Sequence, residues 1–170
     1  MHTEPDTQLS GLAVQVAQAL TVRRWMLATV ESCTGGWVAQ TLTAISGSSA
    51  WFDRGLVTYS NESKQDLVGV RQETLERFGA VSEETAREMA TGLLAESRAH
   101  ATLSITGIAG PTGGTPDKPV GMVCFAWVVE RDRDDTVVES ETQHFKGDRE
   151  SIRRQAVIAS LQGLLNRMPD

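Results

Sequence analysis

The feature that most constrains the fold is an apolar run that enters an amphipathic segment through a turn of small and hydroxylated residues. The run spans residues 25–30, and the turn reads Glu-Ser-Cys-Thr-Gly-Gly over residues 31–36. Apolar residues then recur at helical spacing over residues 37–45. A short buried strand followed directly by a helix is typical of α/β domains, so we expect this arrangement here.

The same alternation continues along the chain. Further strands are predicted at residues 56–59, 101–106, 120–129 and 136–145, with helices before, between and after them. This order predicts a three-layer α/β/α sandwich with a mixed, mostly parallel sheet, its first three strands parallel and the last two added antiparallel. We expect one domain over residues 8–168, preceded by a flexible tail at residues 1–7.

Composition excludes several classes of function. The net charge is −6, and no basic block is present, so binding to nucleic acid through a cationic face is not expected. No apolar run approaches the roughly 20 residues of a membrane-spanning helix, and the first residues lack a signal-peptide pattern. The two cysteines, Cys33 and Cys124, suit a reducing compartment. A cytoplasmic protein without membrane contact is therefore predicted.

Several conspicuous segments follow predicted strand ends. In an open α/β sheet, ligands bind at the carboxyl ends of the parallel strands. The turn at 31–36, the segment 59–64 and the glycine-rich loop from residue 106 all follow such ends, and the fifth strand delivers residues 145–149 to the same edge. The sequence therefore predicts a single site on this edge.

Ser32 and Lys64 are the strongest chemical candidates at this edge. A serine nucleophile requires a base, and Lys64 lies in the first turn of a predicted helix. The helix dipole and partial burial there lower the pKa of an amine toward the range that a base needs. Tyr59, the only tyrosine, ends the preceding strand and can relay a proton between Ser32 and Lys64 or hydrogen-bond the lysine.

Other interpretations remain open at this point. Cys33 competes as nucleophile, because a thiol at a helix N-terminus is activated without a partner base. His144 is the one histidine expected near the edge, although a late-strand histidine is more often structural. Ser32 can be a helix cap and Lys64 a solvated helix lysine. Arg149 can hold a phosphate or carboxylate as a fork. No His, Cys, Asp or Glu cluster has metal-ligand spacing, so no metal is expected.

Six segments, in order, resemble the motifs of the CinA C-terminal domain family, whose stand-alone members include nicotinamide mononucleotide (NMN) amidases. The segments are ESCTGG (31–36), GSSAWF (47–52), TYSNESK (58–64), GAVS (79–82), TGIAGP (106–111) and KPVG (118–121). The resemblance extends from about residue 8 to residue 165. It implies hydrolysis of the NMN carboxamide to nicotinate mononucleotide and ammonia in pyridine-nucleotide salvage, with no cofactor.

The resemblance also implies roles for individual residues. The family is understood as serine–lysine amidohydrolases, which makes Ser32 the nucleophile and Lys64 the base. Tyr59, Thr106 and Arg149 match its supporting positions, and Arg153 also fits an arginine in that region. The substrate would be a small nucleotide, and we expect a homo-oligomer.

The leading hypothesis is an acyl-enzyme formed on Ser32, with two groups of supporting residues. Backbone N–H groups around Thr34, Gly35 and Gly36 would form the oxyanion hole, and the 5′-phosphate would meet Arg149 or a turn at Ser48. The remaining predicted substrate-binding positions are Thr106 and Gly107. The alternative is a nucleotide-binding regulatory module linked to competence or DNA damage, in which the glycine loop and Arg149 matter and Ser32 is only a cap.

Overall fold

The computed structural model describes residues 6–132 and 135–168 of the chain. Its strands are β1 (Leu27–Glu31), β2 (Phe52–Val57), β3 (Ala101–Gly107), β4 (Met122–Asp132) and β5 (Asp135–His144). Its α-helices are α1 (Thr7–Arg23), α2 (Trp37–Thr43), α3 (Asn61–Val68), α4 (Gln72–Phe78), α5 (Glu83–Ala95) and α6 (Arg149–Arg167). None of these helices is long and apolar enough to cross a bilayer.

The strands form one mixed sheet in the order β2-β1-β3-β4-β5. β1 pairs in parallel with both β2 and β3, whereas β4 is antiparallel to β3 and to β5. Helices α1, α2 and α6 cover one face, and α3, α4 and α5 cover the other. The predicted three-layer α/β/α architecture with a mixed sheet is confirmed.

The first face of the sheet holds α6 close to β4. Trp127 is fully buried there, and its indole nitrogen donates a hydrogen bond to the Ser160 carbonyl at 2.9 Å. Gly163 faces the same ring, and a Cβ atom at that position would lie only 2.2 Å from it. Close approach of α6 to the sheet therefore depends on a glycine. This packing fixes the direction in which the first turns of α6 reach the sheet edge.

On the second face, hydroxyl groups of β3 connect the sheet to α5 by hydrogen bonds. Thr102 and Ser104 are buried, and each donates a side-chain hydrogen bond to a carbonyl of α5, at 2.8 and 2.6 Å. Gly92 of α5 lies against α3, where a Cβ atom would come within 1.7 Å of the Val68 carbonyl oxygen. α3 is therefore packed tightly on α5, which positions its first turn beneath the end of β1.

Some boundaries differ from the prediction. The second strand begins at Phe52 rather than at residue 56, because pairing with β1 makes the residues at 52–55 extended although their side chains do not alternate. Ser60 caps α3 through a reciprocal pair of hydrogen bonds with Ser63. Asp6, within the predicted tail, caps α1; the rest of that tail up to residue 5 lies outside the described residues. Residues 133 and 134 also lie outside the described residues; the sequence there, RDRDD over 131–135, is typical of a charged hairpin turn between the last two predicted strands.

Candidate active site

A cleft of about 220 Å³ opens at the carboxyl ends of the three parallel strands. Six predicted site residues contribute to its wall. The lining consists of Ser32, Cys33, Tyr59, Asn61, Lys64, Ala80, Val81, Thr106, Gly107, Ala109 and Arg149. Strand ends thus bring together side chains that are more than 100 residues apart in sequence.

Ser32 and Lys64 face each other inside this cleft. The Lys64 amine lies 3.1 Å from the Ser32 hydroxyl and donates a second hydrogen bond to the Thr58 carbonyl at 2.7 Å. The Lys64 side chain is 1% exposed, and it pairs with no carboxylate in the part of the chain that the structure describes. Burial lowers the pKa of this amine below its ordinary value of 10.5. The neutral form of this lysine, beside a serine hydroxyl, is therefore easier to reach than that of a solvated lysine.

Cys33 lies next to Ser32 but in a different electrostatic situation. Its thiol is 6% exposed, and burial raises its pKa to about 12. The thiol is therefore protonated at neutral pH, and the thiolate that a cysteine nucleophile needs is not favoured. The expected activation at a helix N-terminus is absent because another group occupies that terminus.

That group is the fully buried carboxylate of Glu31. Its two oxygens accept hydrogen bonds from the Val38 and Ala39 backbone N–H groups, both at 3.0 Å. A negative charge is favourable here because the first N–H groups of α2 lack intrahelical partners. Sequence reasoning missed this role. The available signal was an acidic residue directly after an apolar strand, where a buried carboxylate needs hydrogen-bond donors.

The predicted oxyanion residues Thr34, Gly35 and Gly36 do not line the cleft. The Gly35 amide donates to the Ser32 carbonyl at 3.0 Å, and the Ser32 amide donates to the Ile105 carbonyl at 2.9 Å. Both glycines have positive φ angles, 61° and 97°, which side chains rarely adopt. These two glycines therefore shape the turn, and the Gly35 amide is already used within it.

Ser48 lies at the opposite edge of the sheet. It follows α2, and the nearby Trp51 carbonyl accepts a hydrogen bond from Leu27 at the start of β1. α2 returns the chain to the amino end of β1, so the turn that begins at Ser48 is separated from the cleft by the length of that strand. The structure does not bring Ser48 to a ligand bound near Ser32.

Arg149 and Tyr59 meet at the mouth of the cleft. The Arg149 guanidinium donates to the Tyr59 hydroxyl at 2.9 Å and to the Gly110 carbonyl at 2.8 Å. Tyr59 is 61% exposed, and its hydroxyl points to Arg149 rather than bridging Ser32 and Lys64. A proton relay through Tyr59 is unnecessary, since serine and lysine are already in direct contact.

Thr106 and Asn61 belong to the wall of the cleft, whereas Arg153 lies behind it. Thr106 donates its hydroxyl hydrogen to the Ala80 carbonyl at 2.7 Å, which ties the end of β3 to the loop before α5. Arg153 does not line the cleft and instead contacts the backbone behind the nucleophile turn. Asn61, the first residue of α3, also lines the cleft and was not among the predicted site residues. In the described residues no cluster of three or more His, Cys, Asp or Glu could hold a metal ion.

Comparison with known proteins identifies the family of the chain. The CinA C-terminal domain family matches residues 9–168. Nicotinamide-nucleotide amidohydrolase PncC of Escherichia coli K12 is 53% identical over 94% of both chains, and the protein of the same name from Pseudomonas putida is 45% identical over 92% of this chain and 95% of its own. The crystal structure of the competence/damage inducible protein CihA from Agrobacterium tumefaciens superimposes with a TM-score of 0.88 at 42% identity, covering 98% of this chain and all of that chain. The chain belongs to the CinA C-terminal domain family.

Proposed function

We propose that this protein hydrolyses the carboxamide of nicotinamide mononucleotide to give nicotinate mononucleotide and ammonia. The observation that carries the proposal is the buried Lys64 amine 3.1 Å from the Ser32 hydroxyl in the cleft. The names of the relatives at 45–53% identity support a nicotinamide nucleotide as the substrate. Two hydrogen-bonded side chains of this kind are what acyl transfer through a serine requires.

Acylation follows from the Ser32–Lys64 contact. Neutral Lys64 accepts the hydroxyl proton of Ser32 while the serine oxygen attacks the carboxamide carbon, forming a tetrahedral intermediate. The resulting ammonium of Lys64 then gives its proton to the amide nitrogen, the C–N bond breaks, and ammonia leaves. The Thr58 carbonyl, 2.7 Å from the amine, holds the lysine in place during both transfers.

Deacylation reverses the roles with water as the nucleophile. Once ammonia has left, Lys64 is neutral again and removes a proton from a water molecule that attacks the acyl carbon. The same lysine then protonates the serine oxygen as the ester bond breaks. The product leaves as the carboxylic acid of nicotinate mononucleotide, which loses its proton to solvent to become the carboxylate, and the free enzyme is restored.

The Cys33 amide is our assignment for the donor to the oxyanion. The amides of Ser32 and Gly35 already have acceptors, whereas Cys33 follows the nucleophile directly and lines the cleft. A backbone N–H next to the nucleophile is placed to stabilise charge that develops on the carbonyl oxygen. This assignment replaces the amides of Thr34, Gly35 and Gly36.

The size of the cleft suggests how the nucleotide lies. Its 220 Å³ is below the roughly 300–1,000 Å³ of pockets that enclose whole drug-sized ligands. We therefore place the pyridine ring and carboxamide inside, with the ribose phosphate across the mouth near Arg149. The guanidinium there can bind a phosphate in place of its contact with Tyr59.

The direct test is ammonia release from NMN by the purified protein. Wild type should release ammonia and nicotinate mononucleotide in equal amounts, and Ser32→Ala should abolish turnover while remaining folded. Cys33→Ala is the matched control and should keep most of the activity, because its thiol is protonated. Activity in Ser32→Ala but not in Cys33→Ala would show that the nucleophile assignment is wrong. No ammonia release from wild type would favour the nucleotide-binding regulatory module.

We also place the protein in the cytoplasm, where free thiols are kept reduced. Cys33, in the turn after β1, and Cys124, within β4, are both free and buried. The homo-oligomer expected from the sequence stays a prediction, for which the sedimentation or light-scattering mass of the purified protein is the measurement.

A further inference from the structure

Arg153 is fixed to the backbone of the nucleophile turn by several contacts. Its guanidinium donates to the Cys33 carbonyl and to the Thr34 carbonyl, each at 3.0 Å. The same group lies 5.4 Å from the ring centroid of Trp37, the first residue of α2. Within the described chain Arg153 pairs with no carboxylate. Its contacts thus go to the segment that carries Ser32.

These contacts fix the direction of peptide groups beside the nucleophile. In a trans peptide unit the C=O and N–H bonds point in opposite directions. Holding the carbonyls of Cys33 and Thr34 toward α6 therefore aims the amides of Thr34 and Gly35 away from α6. The Gly35 amide completes the turn by bonding to the Ser32 carbonyl. Arg153 thus orients the two peptide units that directly follow Cys33, and it constrains Ser32 and the Cys33 amide through the adjoining backbone.

The turn is held from a second side by a residue of opposite charge. Glu31 binds the Val38 and Ala39 amides, so the segment between strand and helix is fixed at α2 by a carboxylate and at α6 by a guanidinium. Gly35 lies close beneath the arginine, since a Cβ atom there would be 3.5 Å from the Arg153 Nη2 atom. The guanidinium reaches the two carbonyls from two different nitrogens, Nε and Nη2, in one rigid plane, a spread that the single nitrogen of a lysine does not reproduce.

We infer that Arg153 is a positioning residue for the reaction, acting through the turn that carries Ser32. This inference rests on the proposed amidase function. Arg149 lies four residues earlier in α6 and reaches the cleft mouth, so the same helix supports the nucleophile and contributes the cation proposed for the substrate phosphate. Arg153 therefore sets the distance between these two parts of the site without touching the substrate.

The test compares Arg153→Ala with Arg154→Ala. Arg154 is the next residue of the same helix and is paired with Asp6, remote from the cleft. Arg153→Ala should lower kcat for NMN about 100-fold with little change in KM, as expected when a reacting group is misplaced by about 1 Å. Free guanidinium, well below denaturing concentrations, should restore much of kcat, and sodium chloride at equal ionic strength should not. Arg154→Ala should behave like wild type.

A second readout keeps this test independent of the substrate. This readout is the rate at which a fluorophosphonate labels Ser32, followed by intact-protein mass with Ser32→Ala as the background. The labelling rate should fall in Arg153→Ala and recover when guanidinium is added. Arg153→Lys retains the charge and the aliphatic stem over Trp37; it should fold normally and still label slowly. If wild type labels but releases no ammonia from NMN, the proposed function fails while labelling still tests Arg153.

Four outcomes would overturn the inference. The first is normal labelling and a normal kcat in Arg153→Ala or in Arg153→Lys. The second is a rise in KM alone in Arg153→Ala, and the third is a loss of kcat in that variant that guanidinium does not restore. The fourth is a wild-type protein whose Ser32 does not react with the fluorophosphonate at all. The rise in KM would make Arg153 a substrate ligand, and the unrestored loss would make it an ordinary packing residue.

Discussion

At the scale of single residues, the chemistry that we propose for the cleft depends on one lysine amine that the fold keeps from water. Lys64 is 1% exposed and reaches both Ser32 and the Thr58 carbonyl. Because charging a buried amine is unfavourable, its pKa is lowered, which makes the neutral base available nearer to neutral pH.

We expect kcat/KM to rise with pH through a group whose pKa lies below 10.5. The sign follows from the mechanism, because only neutral Lys64 can accept the serine proton. Lys64→Met and Lys64→Arg should both be nearly inactive, since a guanidinium stays protonated. His144→Ala, which changes an exposed residue of β5, is the control and should keep the wild-type pH profile. Substantial turnover by Lys64→Arg would remove Lys64 from the mechanism.

The same lowered pKa makes the stability of the fold depend on pH. Between the folded-state pKa of Lys64 and its ordinary value of 10.5, the unfolded chain binds the proton that the folded chain has released. The free energy of unfolding of wild type, relative to Lys64→Met, should therefore rise with pH across this window. Urea unfolding of both proteins across that pH range measures the difference, and a flat difference would mean that the lysine pKa is not lowered.

At the scale of elements, the start of α2 is organised by a charge that belongs to the preceding strand. Glu31 ends β1, and its carboxylate accepts the amides of Val38 and Ala39. A conventional side-chain cap is absent, since Gly36 occupies the N-cap position. The strand and the helix that flank Ser32 are therefore joined by two buried hydrogen bonds from backbone N–H groups to a carboxylate.

Glu31→Gln should lower the free energy of unfolding by about 1–3 kcal/mol. The amide retains one acceptor oxygen but directs an NH₂ group at a backbone donor, so one buried N–H loses its partner. Urea unfolding at pH 7 gives the change. Glu62→Gln is the control, because Glu62 is exposed in the first turn of α3 and no buried amide depends on it. Equal stability of Glu31→Gln and wild type would refute the capping role.

At the scale of the whole molecule, the charge of the chain opposes the proposed substrate. A net charge of −6 repels an anionic nucleotide at long range, so binding depends on local cations. We propose that Arg149 is one of these cations, since it lies at the cleft mouth and its described partners are a carbonyl and a phenol rather than a carboxylate.

Arg149→Ala should therefore lower kcat/KM for NMN by about 10- to 100-fold, the loss expected for a charge-assisted contact. Nicotinamide riboside, which lacks the phosphate, should be affected much less. Steady-state kinetics on both compounds makes the comparison. Tyr59→Phe removes the hydroxyl that Arg149 contacts without removing the charge, and it should cost less for NMN than Arg149→Ala. Equal losses on both substrates with Arg149→Ala would assign the arginine a structural role.

The local pattern of the chain was sufficient to predict much of the molecule. The spacing of apolar residues predicted the three layers, because a helix or strand that is buried on one face carries apolar residues at a characteristic period. The rule that parallel strands end at one edge was enough to place Ser32, Tyr59, Lys64, Thr106 and Arg149 around one cleft. The edge strand β2 was placed less well, since its first residues become extended only through pairing with β1.

Only the tertiary structure decided what the individual groups of the site contact. Arg149 meets Tyr59 across 90 residues and Arg153 meets Cys33 across 120, so no local spacing could assign one arginine to the cleft mouth and the other to the turn. The same holds for Ser48, which the return of α2 carries to the far edge of the sheet. Periodicity records which side of an element is buried, whereas hydrogen-bond partners and pKa shifts depend on how separate elements pack together.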